Sequence, residues 1–204
     1  MKDNFINEII STISEKIFLL KRGLNFYLNF VYLNKKSFFS NKLHYKSKPV
    51  IIQKTYITGK GNVYLGHKCK FGFKLGGFYR NGSIELQSRT ISANIYFGDY
   101  VATNNNLFIC SSNLIKIGDK TRIGQGVFIT DFEAHAIDPA KRSDIGEIGS
   151  VIIGRNVWIG NNVTILKNSK IGDNSIIAAG AVVNGNFPKN SVIGGVPAKT
   201  IKKI

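Results

Sequence analysis

The sequence predicts an all-β solenoid, a chain wound into stacked three-sided coils behind an N-terminal helical segment. Ile117, Ile123 and Ile129 stand six residues apart, and the same step returns at Ile153, Ile159, Ile165, Ile171, Ile177 and Val183. Recurrence at a fixed period marks a repeat architecture. A six-residue step fits neither the 3.6-residue turn of a helix nor the two-residue alternation of a strand. It does fit a chain that turns a corner every six residues and sends one aliphatic side chain inward on each face. The second observation is what surrounds the aliphatics. Gly follows Ile117, Ile123, Ile153, Ile159 and Ile171, and a small or β-branched residue stands four places after most of them (Thr121, Val127, Val157, Val163, Ser169, Ser175, Ala181). Corner pairs such as Gly118-Asp119, Asn161-Asn162 and Asp173-Asn174 are residue types that tolerate tight turns.

Along the chain, residues 1–48 form a basic, aromatic segment distinct from the rest. Phe5, Ile6, Ile9, Ile10, Ile13, Ile17 and Leu20 recur at three- and four-residue steps, which predicts an amphipathic helix. Phe26, Tyr27, Phe30, Tyr32, Phe38 and Phe39 follow among Lys21, Arg22, Lys35 and Lys36. Such a segment can cap the open end of a solenoid. It can also lie in the plane of an anionic membrane through residues 1–45, and the two roles are compatible. The solenoid domain spans 49–204, with a short C-terminal tail. Ile57 and Val63 begin the sixfold step, Phe71–Phe78 blur it, and Ile95, Val101 and Leu107 recover it; four extra residues then precede Ile117.

One break interrupts the regular region, the loop 130–151. It holds Asp131, Glu133, His135, Asp138, Lys141, Arg142, Asp144 and Glu147. Because Ile153 resumes in phase with Ile129, this segment either leaves the wall as an excursion or occupies one coil with a protruding part. Ionisable residues gathered on an excursion from a rigid scaffold mark a candidate site.

The net charge of the chain is +16, and residues 1–80 hold 15 Lys/Arg against 3 Asp/Glu. The excess therefore belongs to the front of the chain rather than to the repeat. It suits an anionic partner, yet the basic residues follow no recognised nucleic-acid motif, and none is expected to bind one. Cys69 and Cys110 are 41 residues apart without ligand spacing, which predicts buried free thiols in a reducing compartment. The charged opening Lys2-Asp3 predicts no leader peptide. The apolar stretch Ile17 to Leu33 is too short and too polar to span a bilayer.

The repeat, with Thr130-Asp131-Phe132-Glu133-Ala134-His135-Ala136-Ile137-Asp138-Pro139, Val157-Trp158-Ile159-Gly160 and Gly194-Gly195-Val196-Pro197-Ala198-Lys199 in that order, resembles the bacterial hexapeptide acyltransferases. Within them it is similar to the sugar O-acetyltransferases of the maltose/galactoside and surface-polysaccharide type. The resemblance covers roughly residues 50–204. It implies a left-handed parallel β-helix, a homotrimer with active sites between adjacent helices, acetyl-CoA as co-substrate and no metal. It places the catalytic base on His135, its orienting carboxylate on Asp131 (with Glu133 as the alternative), and a donor to the developing oxyanion on Trp158. Asn161 and Ala179 match positions that hold the pantetheine arm, Asn184 a further donor contact, and Lys199 and Lys202 basic residues near the nucleotide phosphates. Asn104-Asn105-Asn106-Leu107 resembles an acceptor motif that would put Asn106 against the sugar. Arg142 would contact an anionic acceptor or pair with Asp138 or Asp144.

Imidazole suits the base role because its pKa lies near neutrality. The absence of a Ser or Cys nucleophile motif points to direct transfer. The function implied is acetyl transfer to a sugar or glycan hydroxyl in capsule, O-antigen or exopolysaccharide synthesis, in the cytoplasm or at the inner face of the membrane. N-acylation of an amino-sugar and a non-enzymatic basic adaptor at the membrane are the alternatives. A zinc enzyme would need three histidine ligands, and His44, His67 and His135 lack the spacing.

Overall fold

Three parallel sheets wrap around one continuous apolar core, as the six-residue step requires. The computed structural model describes residues 2–35 and 41–204. Lys36, Phe38 and Phe39 lie outside the described residues, as do the side chains of Phe5, Ile6 and Ile9. Helix α1 (Lys2–Phe26) runs into one π-helical turn, Tyr27–Val31, before the coils begin. The first face is built from Leu43–Tyr45, Asn62–Leu65, Asn94–Phe97, Leu114–Ile117, Ser150–Ile153, Ser169–Ile171 and Asn186–Phe187. The second carries Val50–Ile51, Lys70–Phe71, Ala102–Thr103, Arg122–Ile123, Trp158–Ile159, Ile176–Ile177 and Ser191–Gly195. The third carries Thr55–Gly59, Ile84–Ser88, Phe108–Ser111, Phe128–Thr130, Thr164–Ile165 and Val182–Val183. Neighbours on each face pair in parallel, and the tail strand Ala198–Lys203 then folds back antiparallel on Ser191–Gly195.

The predicted inward column is present on every face. On the second face Ile123 stacks on Ile159, Ile177 and Ile193 in turn, and all four are buried. Each such burial contributes about 1.5–3 kcal/mol. A slip of one residue would turn the whole column to solvent, so the core fixes the register. The small residues of the repeat are buried beside it. Thr121, Ser169 and Ser175 keep their hydroxyls bonded there, to the carbonyls of Gly154 (3.1 Å), Val183 (3.2 Å) and Pro188 (3.2 Å). From Thr103 onward, the corners between the second and third faces each hold one left-handed residue: Asn106, Gly126, Asn162 and Gly180. Asn and Gly are the types that take this conformation at least cost.

Two sequence expectations about register need correction or refinement. The four extra residues before Ile117 are only two. Ile117, Ile123 and Ile129 stack on Phe97, Thr103 and Ile109, whereas Ile95 pairs with Ile115. This coil is 20 residues long, as the Asp99 to Asp119 spacing shows, against 18 from Arg155 to Asp173. Each face has two inward positions, and in this coil the third and first faces carry aliphatics at both, Leu107 with Ile109 and Ile115 with Ile117, so the sequence pattern had slipped from one to the other. The extra residues sit at the corner Ser111–Asn113. The loop 130–151 is the excursion of the two alternatives: Ile117 stacks directly on Ile153 and Ile129 on Ile165, so no coil is spent on residues 131–149. The blurred stretch after Phe71 likewise leaves at the second corner and rejoins the wall at Ile84.

At the N-terminal end Phe30 is fully buried and Phe26 nearly so. Asn34 donates to Phe30 O and Thr55 O and accepts from Ile57 N, so its carboxamide continues the open edge of the third sheet. This segment covers the first coil. From Ile10 to Leu24 the helix is uncovered: Ile10, Ile13, Ile17, Leu20 and Leu24 are 45–73% exposed. Removing the plug in Phe30→Ala is expected to cost about 3–5 kcal/mol, read by denaturant unfolding; an unchanged midpoint would show that the segment does not cap the core.

Candidate active site

The excursion starts where the third face ends, at Thr130, and returns to the first face at Ser150. Its first residue is fully buried. Asp131 accepts hydrogen bonds from Ser111 Oγ (2.6 Å), Ser112 N (2.7 Å) and Asn113 N (3.1 Å). A carboxylate taken out of water must find such donors, and the inserted corner supplies all three. Asp131 therefore pins the corner and does not orient His135, contrary to the expectation from the resemblance. Nor does Glu133: it lies 3.4 Å from Lys167 Nζ and accepts from Glu147 N at 3.2 Å. Backbone bonds from Glu133 N to Glu147 O (2.9 Å) and from Gly149 N to Asp131 O (2.7 Å) close the excursion into a ribbon. Lys167 also bonds Glu147. That bond holds the Glu147 carboxyl below, and the Lys167 ammonium above, their ordinary values.

His135 is exposed near the tip of this ribbon. Its Nδ1 lies 2.9 Å from the carbonyl oxygen of Arg142. A carbonyl only accepts, so Nδ1 is the donor, and in the neutral ring Nε2 is the nitrogen that holds the lone pair. The orienting group that the resemblance assigned to a carboxylate is thus a main-chain carbonyl, which no residue type in the sequence could reveal. Arg142 pairs with neither Asp138 nor Asp144; its Nη2 donates to Ile137 O at 3.1 Å and ties the turn together. Asp138 caps the short 3₁₀ turn Pro139–Lys141 through Ala140 N, at 3.0 Å.

Trp158 stands on the second face, 59% exposed. Lys70, Ala102, Arg122, Trp158 and Ile176 pair successively across that sheet and, alternating with buried neighbours, point outward. A groove of about 270 Å³ runs here, lined by Lys70, Phe73, Asn104, Arg122, Trp158 and Asn161 among others. The acceptor motif contributes differently from expectation: Asn104 lines the groove, while Asn106 is the left-handed corner residue, its N–H given to Gln53 Oε1 at 2.7 Å. Asn105 is buried and holds the loop 72–83 through Phe73 N (2.9 Å), Phe73 O (2.8 Å) and Gly77 O (3.0 Å). No signal in the sequence marks Asn105 as the anchor of this loop.

Asn161 and Ala179 stack on one corner, one coil apart, joined by Gly180 N to Asn161 O at 2.9 Å. Asn184 sits on the next corner, past the third face, so it does not share their seam. Lys199 pairs with Gly194 and Lys202 with Val192, an irregularity taking up the extra residue between them. Gly194 and Val192 are two apart, so both lysines project from one side of the tail ribbon. His44 stacks on Tyr64 with ring centroids 4.6 Å apart and belongs to the wall. Within one chain His135 and Trp158 are not brought together. The ribbon leaves the corner opposite the second face, and none of residues 131–149 lines the Trp158 groove.

Asp131→Ala is expected to lower stability by at least about 1–3 kcal/mol, since three donors lose their acceptor, while His135→Ala leaves the melting temperature within a degree or two. Equal effects would show that Asp131 is not a structural pin. The Glu147–Lys167 link gives a second expectation. A carboxyl with a lowered pKa stabilises above its unfolded value and loses this as pH falls through the folded one. Lys167, raised, loses its share only as pH rises through its folded value. Protease protection of 131–149 should thus hold at neutral pH, fall in acid below the ordinary carboxylate range, and already be reduced at pH 7 in Lys167→Met. Both groups are at the surface, so the effect is modest and weakens with salt.

Comparison with known proteins places this architecture. The bacterial transferase hexapeptide model (six repeats) matches residues 150–185. The chain is 34% identical over 171 residues to a putative lipopolysaccharide biosynthesis O-acetyl transferase, WbbJ, of Escherichia coli K12, covering 79% of this chain and 82% of that protein. It is 38% identical over 114 residues to the galactoside O-acetyltransferase of E. coli K12, and spans about half of that protein, 55% of each chain. AntD, an N-acyltransferase from Bacillus cereus solved with dTDP and 3-hydroxybutyryl-CoA, superposes with a TM-score of 0.62 over 83% of this chain and 86% of its own; at 17% identity that likeness concerns the fold alone. With its six-residue register, its parallel three-sided wall and these relatives, the chain belongs to the hexapeptide-repeat transferases, left-handed parallel β-helix acyltransferases.

Proposed function

We propose that the protein transfers an acetyl group from acetyl-CoA to a sugar hydroxyl, in the synthesis of a surface polysaccharide. The observation that carries this reading is the His135 Nδ1 bond to the Arg142 carbonyl, at 2.9 Å, which leaves Nε2 free on an exposed ribbon. A free imidazole nitrogen there serves as general base. The co-substrate fits the wall above Trp158: Ala179 offers a small side chain and Asn161 main-chain groups along one corner, and Lys199 and Lys202 offer cations at the end. Charge-assisted contacts of that kind suit phosphates.

Acetyl-CoA supplies an acetyl group activated as a thioester. His135 Nε2 takes the proton of the acceptor hydroxyl as its oxygen bonds to the acetyl carbon. The Trp158 indole N–H donates to the carbonyl oxygen as negative charge collects on it, a preformed donor of the oxyanion-hole kind. His135 then returns the proton to the departing thiolate, so no acyl-enzyme is needed. Because His135 and Trp158 lie on opposite sides of one prism, the complete site takes His135 from one copy and the groove from the next, which favours the homotrimer. His135→Ala should lower kcat about 10²–10⁴-fold in an assay of thiol release with a panel of sugars, and wild-type turnover in that variant would refute the base assignment.

The uncovered stripe of α1 supports a second element of the reading, contact with an anionic bilayer. Ile10, Ile13, Ile17, Leu20 and Leu24 are exposed and recur at three- and four-residue steps along one face, with Lys16, Lys21 and Arg22 beside them. Such a helix lies in the interface with its apolar face in the acyl boundary. No helix among the described residues is long and apolar enough to cross a membrane. In this reading the enzyme works in the cytoplasm at the inner face of the membrane. Full-length protein should float with vesicles containing anionic lipid, and Ile13→Ser with Leu20→Ser should abolish it; flotation unaffected by the pair, or none at all, would contradict the contact.

A further inference from the structure

We infer that the acceptor sugar carries a negative charge, a carboxylate or a phosphate, and that Arg122 and Lys70 read it. This rests on the acetyltransfer reading above and extends it to the substrate class. The donor contacts all lie at or beyond the Trp158 coil, on Asn161, Ala179, Lys199 and Lys202. An acetyl group brought to Trp158 from that side leaves the acceptor the opposite side, over the preceding coils. The groove is there, and its floor is the outward column Lys70, Ala102, Arg122.

The charges of this groove are one-sided. Of its lining residues Lys70 and Arg122 are cations and none is Asp or Glu. Arg122 is exposed and gives one N–H to Tyr100 O at 2.7 Å, which steers the guanidinium without neutralising it. Among the described residues it forms no ion pair, and nor does Lys70, whose ammonium lies 5.7 Å from the Phe73 ring centroid. Three basic side chains elsewhere on the solenoid do find carboxylates, Lys46 with Asp99, Arg155 with Asp173 and Lys167 with Glu133 and Glu147, whereas the groove offers its two cations none. The two groove cations are two strands apart, roughly 10 Å at the spacing of a sheet, and the methyl of Ala102 between them leaves a notch. About 270 Å³ admits one sugar ring. Asn104 and the Phe73 loop close the side with neutral hydrogen-bonding and apolar surface. An arginine fork holding an anion bidentately discriminates against a neutral isostere, because it is left facing uncharged groups.

The test uses full-length protein, acetyl-CoA and matched methyl glycosides: glucoside, glucuronide and glucoside 6-phosphate, with the galacto series alongside. A charged member should exceed its neutral counterpart at least tenfold in kcat/KM, and the better of uronate and phosphate identifies the anion. In Arg122→Leu with Lys70→Leu the charged-to-neutral ratio should collapse toward one. The single replacement Arg122→Lys should recover part of it, which a purely structural defect would not allow. Equal turnover of neutral and charged sugars, or a ratio unmoved by the double replacement, overturns the inference. Acetyl-CoA binding by calorimetry separates it from the reading beneath. Binding without transfer to any charged sugar overturns the anionic acceptor alone, whereas no binding overturns the acetyltransfer reading itself.

Discussion

Inward side chains stack one above another from coil to coil, and this vertical packing holds the wall in register. A parallel wall has no hairpins to set its register; the packing of Ile123 on Ile159 on Ile177 does so, because a shift by one residue exchanges core for solvent. The corners must then return the chain to the same height after each face. Asn162, Gly180 and their equivalents meet this by accepting left-handed backbone. Once the wall is rigid, every outward position has a fixed height and face, and side chains far apart in sequence come to share a column.

Each departure from the repeat is pinned by a buried polar group. Asp131 fastens both the inserted corner at Ser111–Asn113 and the foot of the ribbon. Asn105 holds the loop 72–83 over the groove, and Asn34 seals the first coil. Left unpaired, each would cost what a buried polar group costs, so these residues tie the excursions to the wall. The ribbon then presents His135 on one side of the prism while the opposite face presents Trp158 and the groove. In the proposed reading, a single chain thus holds the two halves of the site without closing it.

Much of this was legible in the sequence because period and residue type suffice for it. The Ile column, the excursion between Ile129 and Ile153 and the position of His135 upon it all follow from counting. The parts that were not legible depend on main-chain atoms or on three-dimensional pairing. The orienter of His135 is the carbonyl of Arg142, which any residue could supply. Asp131 reads as a triad member until its three donors, 18 to 20 residues away in sequence, are seen around it. The 20-residue coil misled the count because aliphatics fill both inward positions on two of its faces. Arg122 and Lys70, 52 residues apart in sequence, become neighbours in a groove only through the wall's pairing with Ala102.

The proposed site requires His135 of one copy to work on the groove of another. Subunit complementation tests it most directly. His135→Ala lacks the base, and Ala179→Trp blocks the donor corner, so each alone should be inactive. Co-expressed and purified as mixed oligomers, the two should regain a substantial fraction of wild-type transfer, since some junctions then pair an intact His135 with an intact groove. Mixed oligomers that remain as inactive as either variant would contradict the account, for they would mean that base and groove must belong to one chain.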